Sequence, residues 1–385
     1  MEINEMNSKT LSIYFRYTTT TLCIKYIVTL LLTYKITKRL SIYILKLMVK
    51  RNIKIITNKL NGIYFCGETL EQAKDVTGML AKNNISSVLD YAVEGEEDAS
   101  FFDEAVNSTL RLIELASSTN HMPYVVVKPS SLGSITVYQA KIKNNHDFLI
   151  YQPAWEKVLS RYNQIFAYAQ QMSVCVMIDA EQSWFQPIID KIAIENMLKY
   201  NKEKAVITLT LQCYKKSSYE FIQLMNKLAI KHNIKIGIKL VRGAYLEEEL
   251  QRNDSASNHF FTSKPATDDN YNAIIEFIAI NIENFTPFFA THNKASISKI
   301  LENTRLTNHH YWLGQLYGVG DHISLNAVKH GARVCKYLPY GPFEKSLPYL
   351  LRRIEENAVS ITTFRHENKL IRKEIISRIV GKNHE

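Results

Sequence analysis

Residues 205–240, AVITLTLQCYKKSSYEFIQLMNKLAIKHNIKIGIKL, hold two short apolar, β-rich runs, 205–211 and 236–240, on either side of a helix-period segment, 218–233. Strand, helix and strand in that order make a βα unit, and strands joined in this way lie parallel. The same pattern extends outward. Further runs occur at 85–89, 124–127, 174–178, 287–290, 311–313 and 333–337, which brings the total to eight. Helix-period segments at 102–117, 155–172, 184–201, 271–282 and 294–303 separate them. Eight units in one chain suggest a sheet closed into a barrel rather than an open one.

A chain of 385 residues, 46% of them hydrophobic, is long enough to bury one large core. With 13 glycines and 9 prolines, collagen-like and Pro-rich disordered classes are excluded. The formal charge of +10 favours anionic partners, yet no RNP, zinc-finger or GxxG signature points to nucleic acid. Much of the excess precedes residue 60: Lys25, Lys35, Lys38, Arg39, Lys46, Lys50, Arg51, Lys54 and Lys59. Cys23, Cys66, Cys175, Cys213 and Cys335 form no CxxC pair and read as reduced, buried thiols.

Residues 26–34, YIVTLLLTY, are apolar but too few to span a bilayer, and no small-residue cleavage site follows them. Residues 1–80 therefore read as a helical extension packed on a domain of residues 81–385. A basic anchor lying on a membrane surface is the alternative.

Polar residues follow many of the apolar runs: Asp90, Lys128, Asp179, Gln212, Arg242, His292 and Tyr340. The carboxyl ends of parallel barrel strands form the active face, so these residues are expected on one rim. Any one of them alone reads as a solvated loop residue.

Residues 337–357, YLPYGPFEKSLPYLLRRIEEN, run from a strand end through a Pro-Gly turn into a helix, with Ser346 as its cap and Pro348 in its first turn. Tyr349, Arg352, Arg353 and Glu356 fall at i, i+3, i+4 and i+7 and share one face. Adjacent guanidinium groups beside an aromatic ring can clamp a carboxylate. An exposed helix with i,i+4 ion pairs explains the same spacing.

This stretch resembles the proline dehydrogenases, whose Y-x-P-x-G turn and Y-L-x-R-R-x-x-E-N helix it reproduces. KLVRGAY at 239–245, VVK at 126–128, IDAE at 178–181, TLQ at 210–212, ATHN at 290–293 and GQL at 314–316 followed by Gly318 match in the family's order. The likeness runs from about residue 64 to the C-terminus. It departs at Phe65-Cys66-Gly67-Glu68, where relatives often carry two glycines.

The resemblance implies a distorted (βα)8 TIM-like barrel with an N-terminal helical arm. It implies FAD as cofactor, held without a GxGxxG fingerprint, and oxidation of L-proline to 1-pyrroline-5-carboxylate. By resemblance Gln212, Lys239, Val241, Arg242, Gly243, Thr291, His292, Asn293 and Glu356 bind the cofactor. Lys128, Arg352 and Arg353 anchor the substrate carboxylate, and Asp179 is expected to pair with Lys128. Tyr337, Tyr349, Leu316 and Ala244 enclose the ring, with Tyr245 behind them. No protein nucleophile is required. Electrons are expected to reach a quinone, which places the enzyme in the cytoplasm, peripheral to the inner face of a membrane.

Two rivals remain open from sequence. One is oxidation of another cyclic imino acid such as 4-hydroxyproline, against which Tyr337 would discriminate. The other is a non-catalytic barrel that binds a metabolite. No His/Asp set has metal-ligand spacing.

Overall fold

The computed structural model describes residues 14, 17–33, 62–92, 98–143, 148–252, 256–342, 346 and 361–380. Eight parallel strands form one sheet: β1 (Ile85–Tyr91), β2 (Tyr124–Val127), β3 (Cys175–Ile178), β4 (Ile207–Gln212), β5 (Ile236–Val241), β6 (Phe285–Ala290), β7 (Trp312–Leu316) and β8 (Val334–Tyr340). Each expected apolar run is a strand. Neighbours follow chain order from β2 to β8, and β8 then pairs with β1. No ladder joins β1 to β2 among the described residues, so the ring closes there by other contacts. One of them is the Ser87 N–H, which donates to His121 O at 2.8 Å.

The side-chain period of two sorts each strand between two cores. Val88, Tyr124, Val126, Met177, Phe288, Cys335 and Tyr337 point into the barrel and pack on one another. Residues such as Leu89, Val125, Val176, Leu209, Ile238 and Phe289 point outward onto the helices. Parallel strands covered on both faces need apolar residues at nearly every position, hence their continuous runs.

The helices start where local chemistry allows. Asp98 caps α3 (Ala99–Ser117), and Ser263 caps α10 (Lys264–Ile280), whose second residue is Pro265. The sequence reading starts α5 at Trp155, beyond Pro153, but the helix spans Phe148–Gln171 with Pro153 in its second turn. A proline so near the N-terminus removes few intrahelical bonds. Ser346, expected as a cap, is itself helical and donates its N–H to Pro342 O at 3.0 Å.

Two helices outside the βα repeat matter below. In the N-terminal arm, α1 (Thr19–Thr33) packs against α13 (Ile361–Val380). Leu22, Tyr14, Tyr17, Ile63 and Ile371 form a small core between them and the barrel. No helix among the described residues is long and apolar enough to cross a membrane. α2 (Leu70–Ala81) lies against β1 and β8.

Candidate active site

Strand ends carry the expected polar residues to one rim. Lys128 follows β2, Asp179 follows β3, Gln212 ends β4, Arg242 follows β5, and Thr291 and His292 follow β6. Leu316 ends β7, while Lys239 and Tyr337 lie inside β5 and β8. Tyr349, Arg352, Arg353 and Glu356 lie outside the described residues.

The pairing expected for Asp179 is corrected. Its Oδ1 receives Lys239 Nζ at 2.6 Å, and its Oδ2 receives the Tyr337 hydroxyl at 2.7 Å. Lys239 Nζ also sits 4.8 Å from the centre of the Tyr337 ring. Lys128 instead donates to Asp90 Oδ1 at 2.7 Å. The reason is geometric: Asp90 is almost fully buried on β1, next to β2, and its charge requires a cation at the unladdered edge. Lys239, on a long stem inside the barrel, reaches Asp179. Burial raises the Asp179 carboxyl, but the Lys239 charge, bonds from Lys239 and Tyr337, and the more distant charge of Lys128 together hold it below the ordinary range. Asp179 is therefore ionised at neutral pH.

Beside this triad, Glu181 organises three elements. Its Oε1 accepts from Ser130 N at 3.2 Å and Ser130 Oγ at 2.7 Å, and its Oε2 accepts from the Tyr245 hydroxyl at 3.1 Å. Gln212 spans the same region, donating to Glu181 O at 2.9 Å and accepting from Ala244 N at 3.2 Å. The Tyr245 hydroxyl is thus tied to Glu181. Val241 O and Arg242 O accept from Cys213 N and Tyr214 N, so the main chain after β5 stays tied to that after β4. Gly243 has φ +119, and a Cβ there would stand 1.9 Å from the Tyr214 ring. Only glycine lets the backbone lie so close to that ring.

On the far side, Arg242 is held by Asp268, by Thr291 Oγ1 at 2.7 Å and by Ser296 Oγ at 2.9 Å. Its guanidinium also stacks 4.3 Å from the centre of the Tyr271 ring. Asn293 caps α11 (Lys294–Glu302), accepting from Ser296 N at 3.2 Å. His292 Nε2 accepts the Leu316 N–H at 3.1 Å, while its buried Nδ1 has no partner among the described residues. Burial, with the Lys336 charge next in weight, pushes the imidazole down to about 3. A neutral ring that accepts at Nε2 carries its proton on Nδ1.

Several contributors are not marked by the sequence reading. Asp90 appears there only as a polar residue after an apolar run, and Glu181 only within a motif, both without roles. Asp268 and Ser296 sit in helices with no motif. A cavity of about 840 Å³ lined by Ser183, Lys216, Glu249 and Phe260, among others, contains none of the candidate residues. No group of residues able to hold a metal occurs among the described residues.

Residues 73–366 match the family model described as proline dehydrogenase. The chain is 46% identical over 370 residues to the carbapenem antibiotics biosynthesis protein CarD of Pectobacterium carotovorum subsp. carotovorum, covering 96% of this chain and 98% of that one. It is 30% identical to the mitochondrial proline dehydrogenase 1 of Dictyostelium discoideum, covering 76% of this chain and 60% of that protein. Among solved structures, proline utilization A of Bdellovibrio bacteriovorus, inactivated by N-propargylglycine, superposes with a TM-score of 0.69 at 19% identity. That match covers 88% of this chain and 37% of the larger one, and at this identity it speaks for the fold. By the span of the family match and the likeness to these relatives, the chain belongs to the proline dehydrogenase family.

Proposed function

We propose that this protein oxidises L-proline to 1-pyrroline-5-carboxylate with FAD bound at the mouth of the barrel. The observation that carries the reading is the convergence of Lys128, Asp179, Gln212, Lys239, His292 and Tyr337 on one rim of a barrel of this family.

The rim suits FAD in two respects. His292 offers an N–H on a buried Nδ1 with no partner among the described residues, and the Gly243 backbone is exposed. Gln212, Lys239, Val241, Arg242, Gly243, Thr291, His292 and Asn293 would hold the cofactor, with Glu356 joining them. FAD supplies a hydride acceptor there, and a membrane quinone would take up its electrons.

The protein's own task is then to bind and orient. Lys128, Arg352 and Arg353 would hold the substrate carboxylate. Tyr337, Leu316 and Ala244, with Tyr349, would enclose the ring and exclude water. Asp179 fixes the Tyr337 hydroxyl and neutralises Lys239, so the aromatic wall cannot swing away. The fixed guanidinium of Arg242 suits a phosphate group.

A peripheral contact with the inner face of a membrane belongs to the same proposal. Ile27, Leu30 and Leu31 on α1, and Ile376, Ile379 and Val380 on α13, are exposed. The likeness to CarD favours a second reading of purpose, in which the same oxidation serves the making of a carbapenem. Loss of antibiotic production on deleting this chain would support that reading.

The direct test is anaerobic spectroscopy of the purified protein. Its flavin absorbance is expected to bleach with L-proline and not with D-proline, without added NAD. A colourless protein that reconstitutes with no flavin would return the chain to a metabolite-binding role.

A further inference from the structure

Lys25 lies on α1, in the N-terminal arm, and is fully buried. Burying an ammonium is costly unless it is paired, so a helix that only had to pack would place an apolar residue here, as Leu22 does one turn earlier. Lys25 Nζ donates to Gly318 O at 2.8 Å and lies 2.8 Å from Glu367 Oε1 of α13. It is 3.6 Å from Asp321 Oδ2, at the start of α12 (Asp321–Lys329), and receives support from the rings of Tyr14 and Tyr17. From the barrel side, Lys336 Nζ on β8 meets Asp321 Oδ1 at 3.1 Å and donates to Val319 O at 2.8 Å and Leu316 O at 3.3 Å. Among the described residues, two cations and two carboxylates thus meet in the interior.

All of these contacts converge on the loop after β7. Its carbonyls at 316, 318 and 319 are held by the two lysines, and its amide at Gly320 points to Glu367 Oε2 at 3.5 Å. Residues 316–320 also border His292. The Leu316 N–H donates to Nε2, and a Cβ on Gly320 would come 3.3 Å from Nδ1.

We infer that Lys25 is a positioning residue for the cofactor side of the barrel mouth: with Glu367 it clamps residues 316–320, and that loop sets the His292 ring. The arm and the C-terminal helix therefore belong to the working site. The link from His292 to FAD rests on the function proposed above, whereas the link from Lys25 to His292 does not.

The experiment compares full-length wild type with Lys25→Met, Glu367→Gln and the double variant, which leaves neither charge of the pair behind. Three quantities are read: exchange of the Leu316 amide hydrogen, the ring-nitrogen signals of His292 in ¹⁵N-histidine protein, and retention of FAD on dilution of the holoprotein. Lys25→Met is expected to speed Leu316 exchange about tenfold and to move the His292 signals away from a single Nδ1–H tautomer. FAD affinity is expected to weaken about tenfold, equivalent to about 1.4 kcal/mol. If the single substitution prevents folding, the double variant is expected to fold and show the same changes. Wild-type values of Leu316 exchange and His292 signals in a folded variant, whatever its melting temperature, would overturn the inference. A wild type that binds no FAD would remove the proposed cofactor, while the first two readouts would still decide the role of Lys25.

Discussion

Lys128 Nζ stands 2.7 Å from Asp90 Oδ1, across the edge where β1 and β2 share no ladder. The residue expected to anchor the substrate thus also closes the barrel. Both side chains are nearly buried, so removing one partner deprives the other of its buried counter-charge. Asp90→Asn is expected to lower unfolding stability by about 3 kcal/mol. Asp90→Asn combined with Lys128→Met is expected to regain part of that loss. Urea titration of the single and double variants checks both outcomes, and additive effects would show that the pair does not act as a unit.

Tyr337 is the residue proposed to govern the choice of ring. Its hydroxyl is fixed by Asp179 and its face lies beside Lys239, so the phenol cannot retreat from an added ring hydroxyl. Tyr337→Ser is expected to raise kcat/KM for 4-hydroxyproline relative to proline by about tenfold or more, within the range a shape change in a pocket can supply. An unchanged ratio, with proline turnover intact, would move the specificity elsewhere.

The proposed carboxylate clamp includes Arg353, which lies outside the described residues. Each charge-assisted bond is worth roughly 1.5–3 kcal/mol. Arg353→Met is therefore expected to reduce kcat/KM for proline by about ten- to a hundred-fold, with flavin content unchanged. A solvated ion pair would predict normal kinetics and a stability change of at most about 1 kcal/mol.

Acid sensitivity follows from His322, which is buried near the start of α12. Burial, followed by the charges of Lys294 and His366, pushes its imidazole from 6.5 down to about 3. Above pH 6.5 folded and unfolded forms are both neutral, and this residue adds no pH dependence. As pH falls below 6.5 the unfolded chain takes up a proton that the folded one refuses, so stability declines until pH reaches about 3. The slope from this group is about 1.4 kcal/mol per pH unit. His322→Gln is expected to flatten the stability profile between pH 6 and 4.5 by up to that amount. Chemical denaturation at stepped pH reads it directly.

The eight strands were legible because each is a short apolar run bounded by polar residues, and the rim followed from the polarity of what comes next. The choice of partner for Asp179 was not legible. Lys128 and Lys239 are equivalent as cations; only the break between β1 and β2 and the reach of Lys239 inside the barrel separate them. Glu181 stands in a quoted motif, yet its hold on Ser130 and Tyr245 depends on two loops meeting in space. Lys25 registered only as one of many bases before residue 60. Nothing local to it announces a carboxylate near the other end of the chain.

The packing of α1 against α13 has a consequence for synthesis. Lys25 leaves the ribosome long before Glu367 exists, so a nascent barrel lacks this counter-charge for the arm's ammonium until α13 arrives. Until then the loop after β7 lacks the Lys25–Glu367 clamp, and the His292 side of the mouth is completed only once residue 367 has been made. Slow maturation of the cofactor site, lagging behind collapse of the barrel, is built into the order in which the ribosome delivers these two residues.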